Sequence, residues 1–193
     1  KVQLVGFSDA SLSAYGCVIY FRFTKRSGEV KVTLVTSKSR ITPLKKEITI
    51  PRLELLGNLL LSRLMTSVRS AVSEEIDVGE ITCYTDSMVS LGWIRSNHEN
   101  LPIFVQNRIR EIKKNVSTEV WHYCKSADNP SDIITRYKHR EILSDLWWRG
   151  PKFLWDKNLQ FEDADQVSYK IEDPAPLEFS TNSEVNVMIT NLV

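Results

Sequence analysis

Residues 49-TIPRLELLGNLLLSRL-64 set a leucine-rich run behind a proline, with one carboxylate, Glu54, near its start. Pro51 suits the first position of a helix, because the N–H it lacks is one that a helix start leaves unbonded anyway. Leu53, Leu56, Leu60 and Leu64 recur at three- and four-residue steps, and Leu55, Leu59 and Leu61 fill the flanks. The spacing predicts a helix running to about Val72, apolar on most faces, with Glu54 in its first turn. Such a helix belongs in a core, where an ionised carboxylate without a partner is strongly unfavourable. What Glu54 faces therefore decides how the helix is used.

Upstream, 2-VQLVGFSD-9, 14-AYGCVIYFRF-23 and 31-KVTLVTS-37 are β-rich, and 26-RSGE-29 reads as a turn, which predicts a three-strand antiparallel meander. Downstream, 81-ITCYT-85 and 120-VWHYC-124 read as short strands. The segments 86-DSMVSLGWIRS-96, 104-FVQNRIREIKK-114 and 128-DNPSDIITRYKHREILSDLWW-148 read as helices, the last starting at Asn129-Pro130. The order βββ-α-β-α-α-β-α implies an α/β fold: a mixed five-stranded sheet, the antiparallel meander followed by two parallel strands, flanked by helices.

With 42% apolar residues the 193-residue chain can build a full core, and its formal net charge is only +1. That balance hides an asymmetry. Residues 156–193 carry two basic against eight acidic residues, net −6, which leaves +7 on residues 1–155. A basic body is compatible with a polyanionic partner. Residues 1–155 read as one domain and 156–193 as an acidic linker or weakly structured extension. Cys17, Cys83 and Cys124 lie in apolar, strand-like runs without C-x-x-C spacing, and read as buried free thiols of a reducing compartment. No apolar run approaches a bilayer's thickness and no signal peptide appears, so no membrane partner is expected. The start at Lys1, inside a strand, reads as a piece of a longer polypeptide.

Asp9 ends the first strand, Asp86 the fourth, and Asp132 sits in the first turn of the last helix. If strands one and four are parallel neighbours, Asp9 and Asp86 lie side by side, and a helix crossing the sheet can bring Glu54 to the same point. Singly, each acid has a plainer use: turn capping for Asp9 and Asp86, the helix dipole for Glu54, helix capping for Asp132. Together they would repel one another unless neutralised. Oxygen-rich clusters of this kind hold hard divalent cations, Mg²⁺ first, and two such ions together drive phosphodiester hydrolysis.

The ordered set 7-FSDAS-11, 49-TIPRLELL-56, 84-YTDS-87 and 129-NPSDIITR-136 resembles the ribonuclease H domain of retroelement polymerase polyproteins. LVTSKSRITPLKK, GWIRS, FVQNRIREI, KSADNPSD and LWWRGPKFL are similar to the BEL/Pao class of long-terminal-repeat retrotransposons, and the resemblance covers about residues 3–155. It implies a ribonuclease H-like fold and hydrolysis of the RNA strand of an RNA–DNA hybrid during reverse transcription. Asp9, Glu54, Asp86 and Asp132 are then the catalytic, metal-holding residues for two Mg²⁺ ions, with Mn²⁺ able to substitute. It also implies a reverse transcriptase domain of the same polyprotein as partner, and an intracellular, cytoplasmic location, virus-like particles included and the nucleus left open. The chain departs from the pattern in where its histidine stands: Tyr123 fills the place two residues after Trp121 where a His or Tyr is usual, and His122 lies one residue earlier, on the opposite strand face. It departs again at Arg136-Tyr137, where the motif normally closes with Arg-Gly.

For RNA contacts across a shallow minor groove the candidates are Ser11, Asn58 and Ser87. For phosphate contacts they are Lys38, Arg40, Lys45, Lys46 and Arg52. Each has an ordinary solvated or structural alternative, as do Trp147, Trp148 and Trp155, which read as packing. The competing reading of the whole chain is a catalytically silent or host-adopted module that binds nucleic acid or scaffolds a reverse transcriptase.

Overall fold

The structure, a computed structural model, describes residues 1–42, 48–136 and 144–159. Three strands, β1 (Val2–Ala10), β2 (Ala14–Thr24) and β3 (Val30–Ile41), form the expected antiparallel meander. β4 (Glu80–Thr85) joins β1 in parallel on its other side, and β5 (Trp121–Tyr123) joins β4 in parallel. The sheet order is β3-β2-β1-β4-β5. β1 is thus central, and it is buried continuously from Leu4 to Ala10, as a strand covered on both faces must be.

The helix predicted from the leucine spacing is α1 (Ile50–Val72). It crosses one face of the sheet with α2 (Met88–Arg95) and α3 (Ile103–Asn115), burying Leu4, Cys17, Ile19, Leu55, Leu61 and Met65 in one cluster. The approach is close enough to require glycine. A Cβ on Gly6 would stand 2.5 Å from Leu61 Cδ1 and 2.7 Å from Met65 Cε. The opposite face is covered by α4 (Asp132–Thr135), α5 (Asp145–Arg149) and a 3₁₀ turn at Lys152–Trp155, which close over Val5, Phe7, Tyr20, Val32 and Tyr84.

Several elements differ from the sequence reading. β3 runs on to Ile41, because Ala14–Cys17 at the start of β2 need partners and find them in Lys38–Ile41. Ile50 starts α1, which puts Glu54 at its fifth position and not in its first turn. Among the described residues the predicted helix over 128–148 is not continuous: a 3₁₀ turn at Ser126–Asp128 precedes the single turn α4, and α5 has its own start at Asp145. α4 closes at Arg136, and Ser144, extended at φ −75°, ψ 156°, caps a new start by accepting from the Trp147 N–H; residues 137–143 lie outside the described residues.

The packed unit continues past Trp155. Arg22, 3% exposed, donates from Nε to the Leu154 carbonyl at 2.7 Å, and from its terminal amino groups to Gln3, Thr24 and the carbonyls of Asp156 and Lys157. Of the segment read as an acidic extension, 160–193 lies outside the described residues. All three cysteines are buried and free. Among the described residues no helix is long and apolar enough to cross a membrane.

Candidate metal centre

β1 and β4 pair in parallel with Ser8 beside Thr85, so Asp9 and the residue that follows β4, Asp86, arrive at the same end of the sheet. α1 brings Glu54 there from above. The approach again depends on a glycine: a Cβ on Gly57 would lie 3.0 Å from the Asp9 carbonyl oxygen, the tightest contact a real Cβ tolerates. Carboxylate oxygens of Asp9, Glu54 and Asp86 all lie within 4.8 Å of one another.

Polar side chains hold this arrangement rigid. Ser8 Oγ donates to Asn58 Oδ1 at 2.6 Å, and Asn58 Nδ2 donates to Ser90 Oγ at 2.9 Å, locking α1 to β1 and α2. Asn129 Nδ2 donates to the Ser8 carbonyl at 2.9 Å and to Asp86 Oδ1 at 3.2 Å, which aims the Asp86 carboxylate. Ser131 Oγ donates to the Phe7 carbonyl at 2.8 Å, and Thr135 Oγ1 donates to Asp9 Oδ2. α4 is short, but these bonds staple it onto the end of β1.

Asp9 is fully buried and Glu54 is 7% exposed. Burial pushes the Asp9 carboxyl up to about 7; the Thr135 hydrogen bond opposes this, and the charges of Asp86 and Asp132 add to it. Burial, then Asp9 and Asp86, push Glu54 well above the usual carboxylate range, against a hydrogen bond from the Ala10 backbone. Despite the polar frame, Asp9 Oδ1 and Glu54 Oε2 have no hydrogen-bond partner. Four other buried side-chain atoms share that condition among the described residues, but none is a carboxylate. Two orphaned carboxylate oxygens beside a third carboxylate make an all-oxygen donor set that fits a hard divalent cation.

Asp132 is adjacent but not part of this group of three. It stands at the first helical position of α4, its side chain 14% exposed, in an ion pair with Arg136. Two clefts flank the acids. One, of about 640 Å³, is lined by Ser11, Leu12, Ile50, Glu54, Thr135 and Arg136. The other, of about 390 Å³, is lined by Ser126, Asn129, Asp132, Ile133, Arg136 and Leu146.

The residues read as nucleic-acid contacts separate. Asn58 is fully buried with its amide committed, so it is a brace and not a contact surface. Ser11 Oγ donates to the Thr135 carbonyl at 2.7 Å and accepts from the Ala14 N–H, tying the β1–β2 turn to α4 at the rim of the larger cleft. Ser87 caps α2, accepting from the Ser90 N–H at 3.3 Å. Lys38 and Arg40 are exposed on the edge strand β3, and the Arg52 guanidinium lies 5.6 Å from the Phe104 ring centre. Lys45 and Lys46 lie outside the described residues. Trp147 is buried, while Trp148 and Trp155 are exposed. His122 is partly buried against the Tyr84 ring, and burial lowers its imidazole to about 4, so it is neutral at pH 7. Gly57, Ser131, Thr135 and Arg136 are not singled out by the sequence reading as parts of the site; the last three lie in the motif NPSDIITR, which carries a signal for them, and a glycine inside the leucine-rich helix is the signal at Gly57.

Residues 1–87 match the family model of the Pao retrotransposon-like RNaseH-like domain. Over that span the match bears out the resemblance read from the motifs, and it includes Asp9, Glu54 and Asp86 but not Asp132. No curated protein matches the chain. Among solved structures, the chain is similar to the N-terminal RNase H domain of a Mycobacterium tuberculosis protein, at 11% identity, TM-score 0.46, over 73% of this chain and 99% of that one. It is also similar to an RNase H1 isolated from compost by metagenomics, at 14% identity, TM-score 0.45, over 75% and 99%. A third is RNase H1 of the archaeon Halobacterium salinarum, at 9% identity, TM-score 0.40, over 67% and 89%.

Proposed function

We propose that this RNase H-like chain is a divalent-metal-dependent endonuclease that hydrolyses the RNA strand of RNA–DNA hybrids, acting beside a reverse transcriptase domain. The observation that carries the reading is the pair of orphaned carboxylate oxygens, Asp9 Oδ1 and Glu54 Oε2, converging with Asp86. Asp9, Glu54 and Asp86 would hold Mg²⁺, or Mn²⁺ in its place, and Asp132 with Asp9 would serve a second ion. When bound, such cations acidify a water for attack and stabilise the leaving oxygen.

The chain's own residues supply orientation. Asn129 fixes Asp86, Thr135 fixes one oxygen of Asp9, and the Ala10 N–H fixes Glu54, so each acid is held before any ligand arrives. Burial of Asp9 and Glu54 keeps the site low in dielectric, where electrostatic stabilisation of developing charge is strongest. His122, neutral and packed against Tyr84, is not positioned by charge for proton transfer at the acids.

The test is cleavage of a labelled RNA–DNA hybrid with Mg²⁺ or Mn²⁺, with RNA–RNA and DNA–DNA duplexes as controls and Asp86→Asn alongside. The expected result is cleavage of the hybrid's RNA strand alone, lost in the variant. Hybrid binding without any cleavage would instead identify a silent, scaffolding module.

A further inference from the structure

The acid cluster creates a problem for the substrate it is read to act on. Asp86 and Asp132, the partly exposed members of the cluster, present negative charge to a polyanionic strand, and Coulomb repulsion at short range opposes its entry. Among the described residues lining the two flanking clefts, Arg136 alone is basic, and it lines both. Its guanidinium Nε pairs with Asp132, its charge acts on Asp9, Asp86 and Asp132, and its side chain is 52% exposed. Arg136 closes α4, its backbone N–H bonded to the Asp132 carbonyl, so the stapled turn sets where it stands. An arginine fork suits phosphate better than a lysine does, because it can give two parallel hydrogen bonds.

We infer that Arg136 is the residue that admits and positions the substrate's phosphodiester backbone, with the strand running from one cleft to the other across its guanidinium. This rests on the proposed function above and assigns a role within the same site. Asp132 orients the guanidinium through Nε, and the exposed part of the fork takes the phosphate. Arg136 is thus a substrate-binding group, separate from the acids that hold metal.

The test uses binding, so that it does not depend on turnover. The chain carrying Asp86→Asn is compared with Asp86→Asn/Arg136→Gln and Asp86→Asn/Arg136→Lys for affinity to an RNA–DNA hybrid across a salt series, with melting curves confirming that each is folded. Loss of one phosphate contact should weaken binding about 10-fold for Arg136→Gln and lower the slope of log affinity against log salt by about 1, with Arg136→Lys retaining the slope and part of the affinity. Unchanged affinity and slope in Arg136→Gln, with the unsubstituted chain still cleaving hybrid, would overturn this role and leave the proposed function standing. Absence of hybrid binding and cleavage in every form would overturn both.

Discussion

The two ends of β1 treat buried charge in opposite ways. At its start, Arg22 is 3% exposed and spreads its donors over Gln3, Thr24 and the carbonyls of Leu154, Asp156 and Lys157. At its end, Asp9 and Glu54 are as deeply buried, stand beside a third carboxylate, and each leaves an oxygen without a partner. Beside the start of β1 the sheet therefore holds a buried cation, on β2 opposite Gln3, that the fold satisfies, and at the end of β1 two buried anions, Asp9 of β1 and Glu54 of α1, that it does not. A buried charge that is paired and hydrogen-bonded can belong to structure; one that is crowded with like charges and left unsatisfied needs another explanation. Three crowded carboxylates make an all-oxygen set that suits a hard cation.

The most severe break in this contrast is at the unsatisfied end. Asp9→Asn should reduce hybrid cleavage by a factor on the order of 10³ or more, since several kcal/mol of charge stabilisation are lost; single-turnover kinetics measures it. At the satisfied end, Arg22→Met should lower stability by about 1–3 kcal/mol, because it strands neutral acceptors that were buried around the guanidinium. Urea unfolding would show that loss with the acids untouched. Gly57→Ala forces a methyl against the Asp9 carbonyl 3.0 Å away, and a displacement of α1 by a fraction of an ångström should slow cleavage about 10- to 100-fold while the chain stays folded. The smallest effect has the opposite sign. Glu54→Gln removes a crowded charge and should raise stability in chelator at pH 8 by roughly 1–2 kcal/mol, even as it abolishes activity.

The sequence revealed the frame of this site better than its fittings. Asp9 and Asp86 could be placed because each follows an apolar run that ends at a definite residue, and parallel pairing of those runs leaves little freedom. The leucine spacing located α1, but not the start at Ile50 that carries Glu54 into the second turn, since Thr49, Ile50 and Pro51 all suit a helix entrance. Ser11 and Asn58 look alike from sequence, as polar residues near the candidate acids Asp9 and Glu54. The register of β1 and the proximity of α2 separate them, one at a cleft rim and one buried between three elements. The one-turn α4 was hidden because DNPSDIITRYKHREILSDLWW is helix-compatible throughout, and its staples to Phe7, Ser8 and Asp9 span more than a hundred residues. Contacts at that separation are not expressed in local pattern.

Whether Asp9, Glu54 and Asp86 are arranged for a cation is measured by the unfolding midpoint from pH 5 to 8, in chelator and in Mg²⁺, for the unsubstituted chain and Asp9→Asn. Asp9 rises from an ordinary 3.8 to about 7 in the folded chain, and Glu54 also rises. In that window the folded state holds more protons than the unfolded one, so these groups favour folding at low pH and their contribution declines as pH rises toward 7. A cation that binds the deprotonated acids reverses the trend by mass action, because fewer protons compete as pH rises. If the three acids form a cation site, the gap between the Mg²⁺ and chelator midpoints widens from pH 5 to 8 and collapses in Asp9→Asn. Identical midpoints with and without Mg²⁺ at every pH would contradict it.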